Sequence, residues 1–172
     1  PVDENEPMHV AEAVRDLKLR HVVITQVTRD DLPDGGADQF AKVVSAIRSH
    51  CPEVTIEVLI SDMKGDKNSL DTVINAHPEV INHNIETVAP LYAKVRPEAD
   101  YERSLSVLHY VKEKDSSILT KTGIMLGLGE TKEQVLKTMD DVLATGCDIF
   151  TIGQYLRPSP AHVEMKEYIS PK

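Results

Sequence analysis

At 172 residues, 41% apolar and 27% charged, the chain has the length and composition of one globular domain with a sizeable core, and is too short for two. Its formal net charge of -9 argues against a nucleic-acid or anionic-membrane partner, since both need clustered Lys and Arg. No apolar run approaches the roughly 20 residues that span a bilayer, and no secretory n-region and h-region opens the chain.

In chain order, Val10, Val14 and Leu17 fall on one face of a predicted helix. A β-branched run follows, HVVITQV (His21 to Val27). It ends abruptly in Thr28, Arg29, Asp30 and Asp31, then a proline and a Gly-Gly pair. Phe40, Val43, Val44 and Ile47 mark the next helix. VTIEVLI (Val54 to Ile60) is a second strand that hands over to Ser61, Asp62 and Lys64. Leu70, Val73 and Ile74 mark a third helix, and EVINHNIE (Glu79 to Glu86) a third strand. A helix is expected from Tyr101 to Lys114, with Leu105, Leu108 and Val111 on one face. The fourth strand is ILTKTGIMLGL (Ile118 to Leu128). A helix from Thr131 to Thr145 then turns Val135, Met139, Val142 and Leu143 inward, with Thr131 as N-cap and Gly146 just past its end. DIFTIGQYL (Asp148 to Leu156) is the fifth strand.

Repeated strand–helix units predict an α/β fold with a parallel sheet, its strands covered on both faces. No G-x-G-x-x-G turn follows the first strand, and polar clusters recur after every strand. The expectation is therefore a partial parallel β/α barrel of about five visible strands rather than an open doubly wound sheet. Residues 1–172 show no internal boundary and are read as one barrel core.

In such folds functional groups collect where strands hand over to helices. The clusters are Thr28 to Asp31 with Asp34; Ser61, Asp62 and Lys64; His83, Asn84, Glu86 and Thr87; Gly127, Gly129, Glu130 and Thr131; and Gln154, Arg157, Ser159 and His162. Each has two readings. Asp30 and Asp31 either face a ligand or serve as turn formers and helix N-terminal charges. Asn84 and Glu86, two residues apart, share one strand face, and either meet one ligand or tie neighbouring loops together. Gly127 and Gly129 either let backbone approach a ligand or are loop glycines only. Lys121, inside a strand, is a candidate Schiff-base amine or an ordinary strand lysine. Cys51 and Cys147 form no CxxC and have no zinc-ligand spacing, so they are read as reduced thiols.

Taken together and in order, four stretches resemble the core of the lipoyl synthase family of radical S-adenosylmethionine enzymes. They are VVITQVTRDDLPDGGADQF, INHNIETVAPLYAKVRPEADYERSL, KTGIMLGLGET and TIGQYLRPSPAHVEMKEYISP. The resemblance implies insertion of two sulfur atoms at C6 and C8 of an octanoyl chain on a lysine of a lipoyl carrier domain. It also implies S-adenosylmethionine and two [4Fe-4S] clusters. One cluster cleaves the cosubstrate to a 5′-deoxyadenosyl radical and the other supplies sulfur. These C–H bonds are unactivated, so the hard chemistry belongs to cofactors. The implied partners are octanoylated carrier domains of 2-oxoacid dehydrogenases and of the glycine-cleavage H protein. The implied compartment is the cytoplasm in a bacterium, or the mitochondrion or plastid in a eukaryote.

Residue by residue, the resemblance places Thr28, Arg29 and Asp30 near the methionyl amine. The family wording there is closer to SVDRDD, from which Gln26 and Thr28 depart. It gives Asn84 and Glu86 to the ribose or amino-acid moiety, and Arg103 or Arg96 to a carboxylate. Gly127 and Gly129 fall to the adenosine, and Gln154 and Arg157 to the substrate. The family's CxxxCxxC loop, its three further cysteines and its C-terminal serine are not among these residues, which therefore hold no metal ligands. The expectation is a piece of a longer enzyme, inactive alone. The alternatives are a cluster-less homologue that binds S-adenosylmethionine or a carrier domain, and an aldolase-like barrel using Lys121.

Overall fold

The computed structural model describes residues 2–29 and 31–170. Helix α1 (Glu6–Asp16) leads into β1 (His21–Thr25), α2 (Ala37–His50), β2 (Thr55–Leu59), α3 (Lys67–Asn75) and β3 (Val80–Asn82). A single turn, α4 (Tyr92–Val95), precedes α5 (Tyr101–Lys114), β4 (Leu119–Leu126), α6 (Lys132–Ala144) and β5 (Ile149–Gln154). Among the described residues no helix is long and apolar enough to cross a membrane.

All strand pairs are parallel, and the five strands lie in the sheet in chain order, β1 to β5. Each crossover thus moves one strand onward and never doubles back, so the helices gather on one face, as in a β/α barrel wall. The partial-barrel expectation is borne out. Val22, Ile56, Val58 and Ile81 point to that helical face. They meet Phe40, Val43, Val44 and Ile47 of α2, Leu70, Val73 and Ile74 of α3, and Val107 and Val111 of α5 in one buried core. A second core joins Ile85, Tyr92, Tyr101, Leu108, Ile124 and Val142.

The opposite face carries the alternate residues, which the registers place side by side. There Glu57 is buried, and its Oε1 accepts from Lys121 Nζ at 2.8 Å and Asn82 Nδ2 at 3.2 Å. His21 Nε2 lies 3.5 Å from its Oε2. A Schiff-base lysine needs its amine free to attack a carbonyl carbon, whereas this one is engaged by a buried carboxylate. The structure therefore opposes the aldolase reading of Lys121.

Two packing expectations are corrected. In α6 the capping box of Thr131 and Gln134 is present, but the inward residues are Thr138 and Val142, with Val135 packed against the same core. Met139 and Leu143 are exposed, in a stripe with Leu136. The reason is Tyr101, whose hydroxyl bonds to Thr138 and Asp141 and draws that helix face onto α5. In α1, Leu17 falls past the helix end and is exposed, while Ala11 and Val14 are buried.

Candidate functional site

The third strand was expected to run to Glu86, but its ladder stops at Asn82. His83 N still donates to Lys121 O, and then the chain leaves the sheet and returns through a single bridge. Glu86 N donates to Gly123 O at 2.9 Å and Glu86 O accepts from Met125 N at 2.8 Å. This return needs a left-handed backbone, and Glu86 sits at φ 70°. A non-glycine residue there is strained by roughly 1–3 kcal/mol, and such strain concentrates at functional sites. The period-two argument for Asn84 and Glu86 therefore does not hold, since neither lies in a strand. The break nevertheless brings both to one cleft.

That cleft lies at the carboxyl edge of β1, β2 and β3. A part of about 150 Å³ is lined by residues that include Gln26, Thr28, Ser61, His83, Asn84, Glu86 and Arg96. An adjoining part of about 300 Å³ shares Thr28, Ser61 and Arg96, and is walled by Asp62 and by the 95–99 segment. The side chains of Asn84 and Glu86 make no hydrogen bond or ion pair among the described residues, so an amide and a carboxylate are available to a ligand. Arg96 is fixed by its Nη1 donating to Asn84 O at 3.0 Å and by lying 5.8 Å over the Tyr92 ring. Tyr92 is itself anchored, its hydroxyl donating to Ile85 O at 2.7 Å.

The cleft also has a buried titratable group. His83 is 1% exposed, and its Nδ1 lies 3.1 Å from Ile60 O, an atom that only accepts. Nδ1 therefore carries the hydrogen, which leaves Nε2 a bare acceptor, and Nε2 has no partner among the described residues. Burial pushes the His83 pKa down from 6.5 to about 4. As pH falls, the unfolded chain takes this proton first, so His83's contribution to stability is complete above 6.5 and is lost between 6.5 and 4. The expected loss is roughly 3 kcal/mol. Urea unfolding of the wild type and His83→Gln at pH 7 and pH 4.5 measures it: the variant should lose less stability on acidification.

The other predicted site residues are tied to the protein itself. Arg29 grips Asp31 through two bonds of 2.7 Å and holds its carboxyl down at about 2. Asp30 lies outside the described residues. Arg103 is paired with Asp62 at 2.7 Å and lines neither part of the cleft. Gln26 donates to Gly35 O at 2.8 Å and lies so close to Gly36 that a Cβ there would stand 2.6 Å from its amide.

Gly127 and Gly129, at φ 98° and 108°, approach the chain's own C-terminal stretch. Lys166 N donates to Gly127 O at 2.7 Å, and a Cβ on Gly127 would collide with Glu167 O and the Gln154 amide. Gln154 donates to Glu167 O at 3.1 Å and accepts from Ile169 N at 2.9 Å. Arg157 donates to His162 O at 2.9 Å and to Pro160 O. These residues form a strap over the ends of β4 and β5. Gly127→Ala should release the strap, seen as faster tryptic cleavage at Lys166 with the rest of the chain intact.

Arg96, rather than Arg103, is the guanidinium at the cleft, and the sequence offers no way to separate them. Glu57 escaped the sequence analysis, although a glutamate amid β-branched residues in VTIEVLI was a usable signal. Among the described residues no three His, Cys, Asp or Glu side chains gather as a metal site requires. Cys51 and Cys147 are both free. These residues do not fit an iron–sulfur cluster.

The model of the radical SAM superfamily matches residues 1–142. The chain belongs to the radical SAM superfamily. Within this superfamily it is 58% identical over its whole length to a lipoyl synthase of Caldanaerobacter subterraneus, of which it covers 60%. It is 53% identical, again throughout, to a lipoyl synthase of Alkaliphilus metalliredigens, of which it covers 59%. The chain thus spans about 60% of the length of these curated relatives. Its fold is shared by Streptococcus suis SuiB, whose crystal structure is bound to S-adenosylmethionine. The TM-score is 0.73 at 11% identity, over 98% of this chain and 37% of that one.

Proposed function

We propose that this radical SAM chain is the strand–helix core of a lipoyl synthase and that its β1–β3 cleft binds S-adenosylmethionine. The whole enzyme would insert two sulfur atoms at C6 and C8 of an octanoyl chain amide-linked to a lysine of a lipoyl carrier domain. The observation that carries this reading is the 58% identity, unbroken over all 172 residues, to a curated lipoyl synthase.

The cleft fits the cosubstrate's polar groups. Glu86 and Asn84, uncommitted to the protein, are acceptors for ribose hydroxyls or for the amino-acid ammonium group. Arg96, held by Asn84 O and Tyr92, suits the carboxylate. Thr28 and Ser61 add hydroxyls on the facing loops. When bound, the cosubstrate supplies radical chemistry able to break an unactivated C–H bond, which no side-chain acid or base achieves at neutral pH. The chain's own work is to bind and orient. The strained return at Glu86 presents its carboxylate, Tyr92 steadies Arg96, and buried His83 stays uncharged beneath. Two [4Fe-4S] clusters complete the proposal, with ligands outside these residues. The proposed partners remain octanoylated carrier domains, in the cytoplasm of a bacterium or in the mitochondrion or plastid of a eukaryote.

The natural gene product, isolated anaerobically from its own cells, tests this. The expected result is a protein heavier than 19.1 kDa that contains iron and converts an octanoyl-lysyl peptide to its dithiolated form in the presence of S-adenosylmethionine. An iron-free protein that leaves the peptide unchanged overturns the reading, and if it still binds S-adenosylmethionine it is a cluster-less binder.

A further inference from the structure

The larger part of the cleft has two walls of different origin. One is the loop after β2, with Ser61 and Asp62; the other is the 95–99 segment that leads into α5. Arg103, in the first turns of α5, crosses between them. Its backbone N–H is held by the capping Asp100 carboxylate at 2.7 Å, and its Nε donates to Asp62 Oδ2 at 2.7 Å.

Asp62 is committed on both oxygens, because Oδ1 accepts from Lys64 N at 3.0 Å. That bond begins a left-handed turn in which Met63, Lys64 and Gly65 stand at φ 45°, 53° and 72°. Two adjacent non-glycine residues in this region persist only where their surroundings impose it. Here Met63 is buried, Ser61 Oγ accepts from Met63 N at 3.2 Å, and the Arg103 stem covers Gly65, where a Cβ would lie 3.4 Å from Arg103 Cδ. Arg103 thus touches the turn twice, through its stem and through Asp62.

We propose that Asp62 and Arg103 form a clamp that sets the separation of the two cleft walls, making Arg103 a positioning residue. This rests on the reading of the cleft as the S-adenosylmethionine site, which decides only the ligand used to probe it.

The test uses the natural protein under anaerobic conditions, with S-adenosylmethionine affinity measured by calorimetry. Asp62→Asn and Arg103→Ala should each weaken binding about tenfold, the scale of one charge-assisted hydrogen bond. Arg103→Lys should lose less. The double variant Asp62→Asn with Arg103→Ala should bind no more weakly than either single variant, because all three lack the same bond. Affinity unchanged in the single variants, or losses that add in the double variant, overturns the clamp; the second outcome makes Arg103 a ligand contact. A second readout needs no ligand. Trypsin should cut after Lys64 about tenfold faster in Asp62→Asn and in Arg103→Ala than in the wild type, and no faster still in the double variant. A wild-type protein that binds no S-adenosylmethionine defeats the cofactor reading, and the Lys64 cleavage rates then decide the clamp alone.

Discussion

Replacing Lys121 by methionine should lower the unfolding free energy by about 2 kcal/mol, less than for a fully buried ion pair because the lysine side chain is 25% exposed. The cost arises at Glu57, 4% exposed, which would keep Asn82 but lose its cation. His21, 3.5 Å away and half-exposed, compensates only in part. A second substitution, Glu57→Gln, removes the stranded charge while retaining an acceptor for Asn82, so the double variant should recover most of the loss. Urea unfolding of the two single variants and the double variant measures the coupling. A Lys121→Met chain as stable as the wild type would mean that the pair contributes nothing. The same pairing engages the strand lysine that an imine-forming barrel would need free.

Glu86→Gly should separate binding from stability. The residue lies at φ 70°, and its side chain has no partner among the described residues. Glycine relieves the strain while keeping both bridge hydrogen bonds, so stability should rise by about 1 kcal/mol, the relieved strain less the entropy glycine loses on folding. Affinity for S-adenosylmethionine should fall roughly 10- to 100-fold, the value of hydrogen bonds to a charged group. A more stable protein that binds less well is the signature of a residue kept for its ligand. A less stable variant with unchanged affinity would contradict this assignment.

The sequence made the architecture legible because β-branched runs alternate with 3.6-period apolar stripes, and the absence of a glycine-rich turn after β1 pointed to a barrel. The cleft was legible only in outline. Strand-end polar residues were the right population, but which ones face a ligand depends on whether a neighbour already engages them. Arg29 and Arg103 are consumed by Asp31 and Asp62, while Arg96, in the same VRPEADYERSL stretch, reaches the cleft. GLGET carries the glycines of a close approach, and the approach is real, but the chain's own residues 166–167 make it. The break in β3 had no sequence mark either. NHNIE reads as a continuous strand, and only the return bridge to Ile124 reveals the left-handed glutamate. In α6, Met139 and Leu143 fit the helical period as well as Thr138 and Val142 do. The hydroxyl of Tyr101, distant in sequence, selects the face that is buried.

The most direct measurement is an anaerobic crystal structure of the natural protein soaked with S-adenosylmethionine. The expected result is the cosubstrate at the carboxyl edge of β1–β3, within hydrogen-bond distance of Asn84 and Glu86 and with its carboxylate against Arg96. Cosubstrate bound elsewhere, with the side chains of Asn84 and Glu86 still unengaged, would contradict the account.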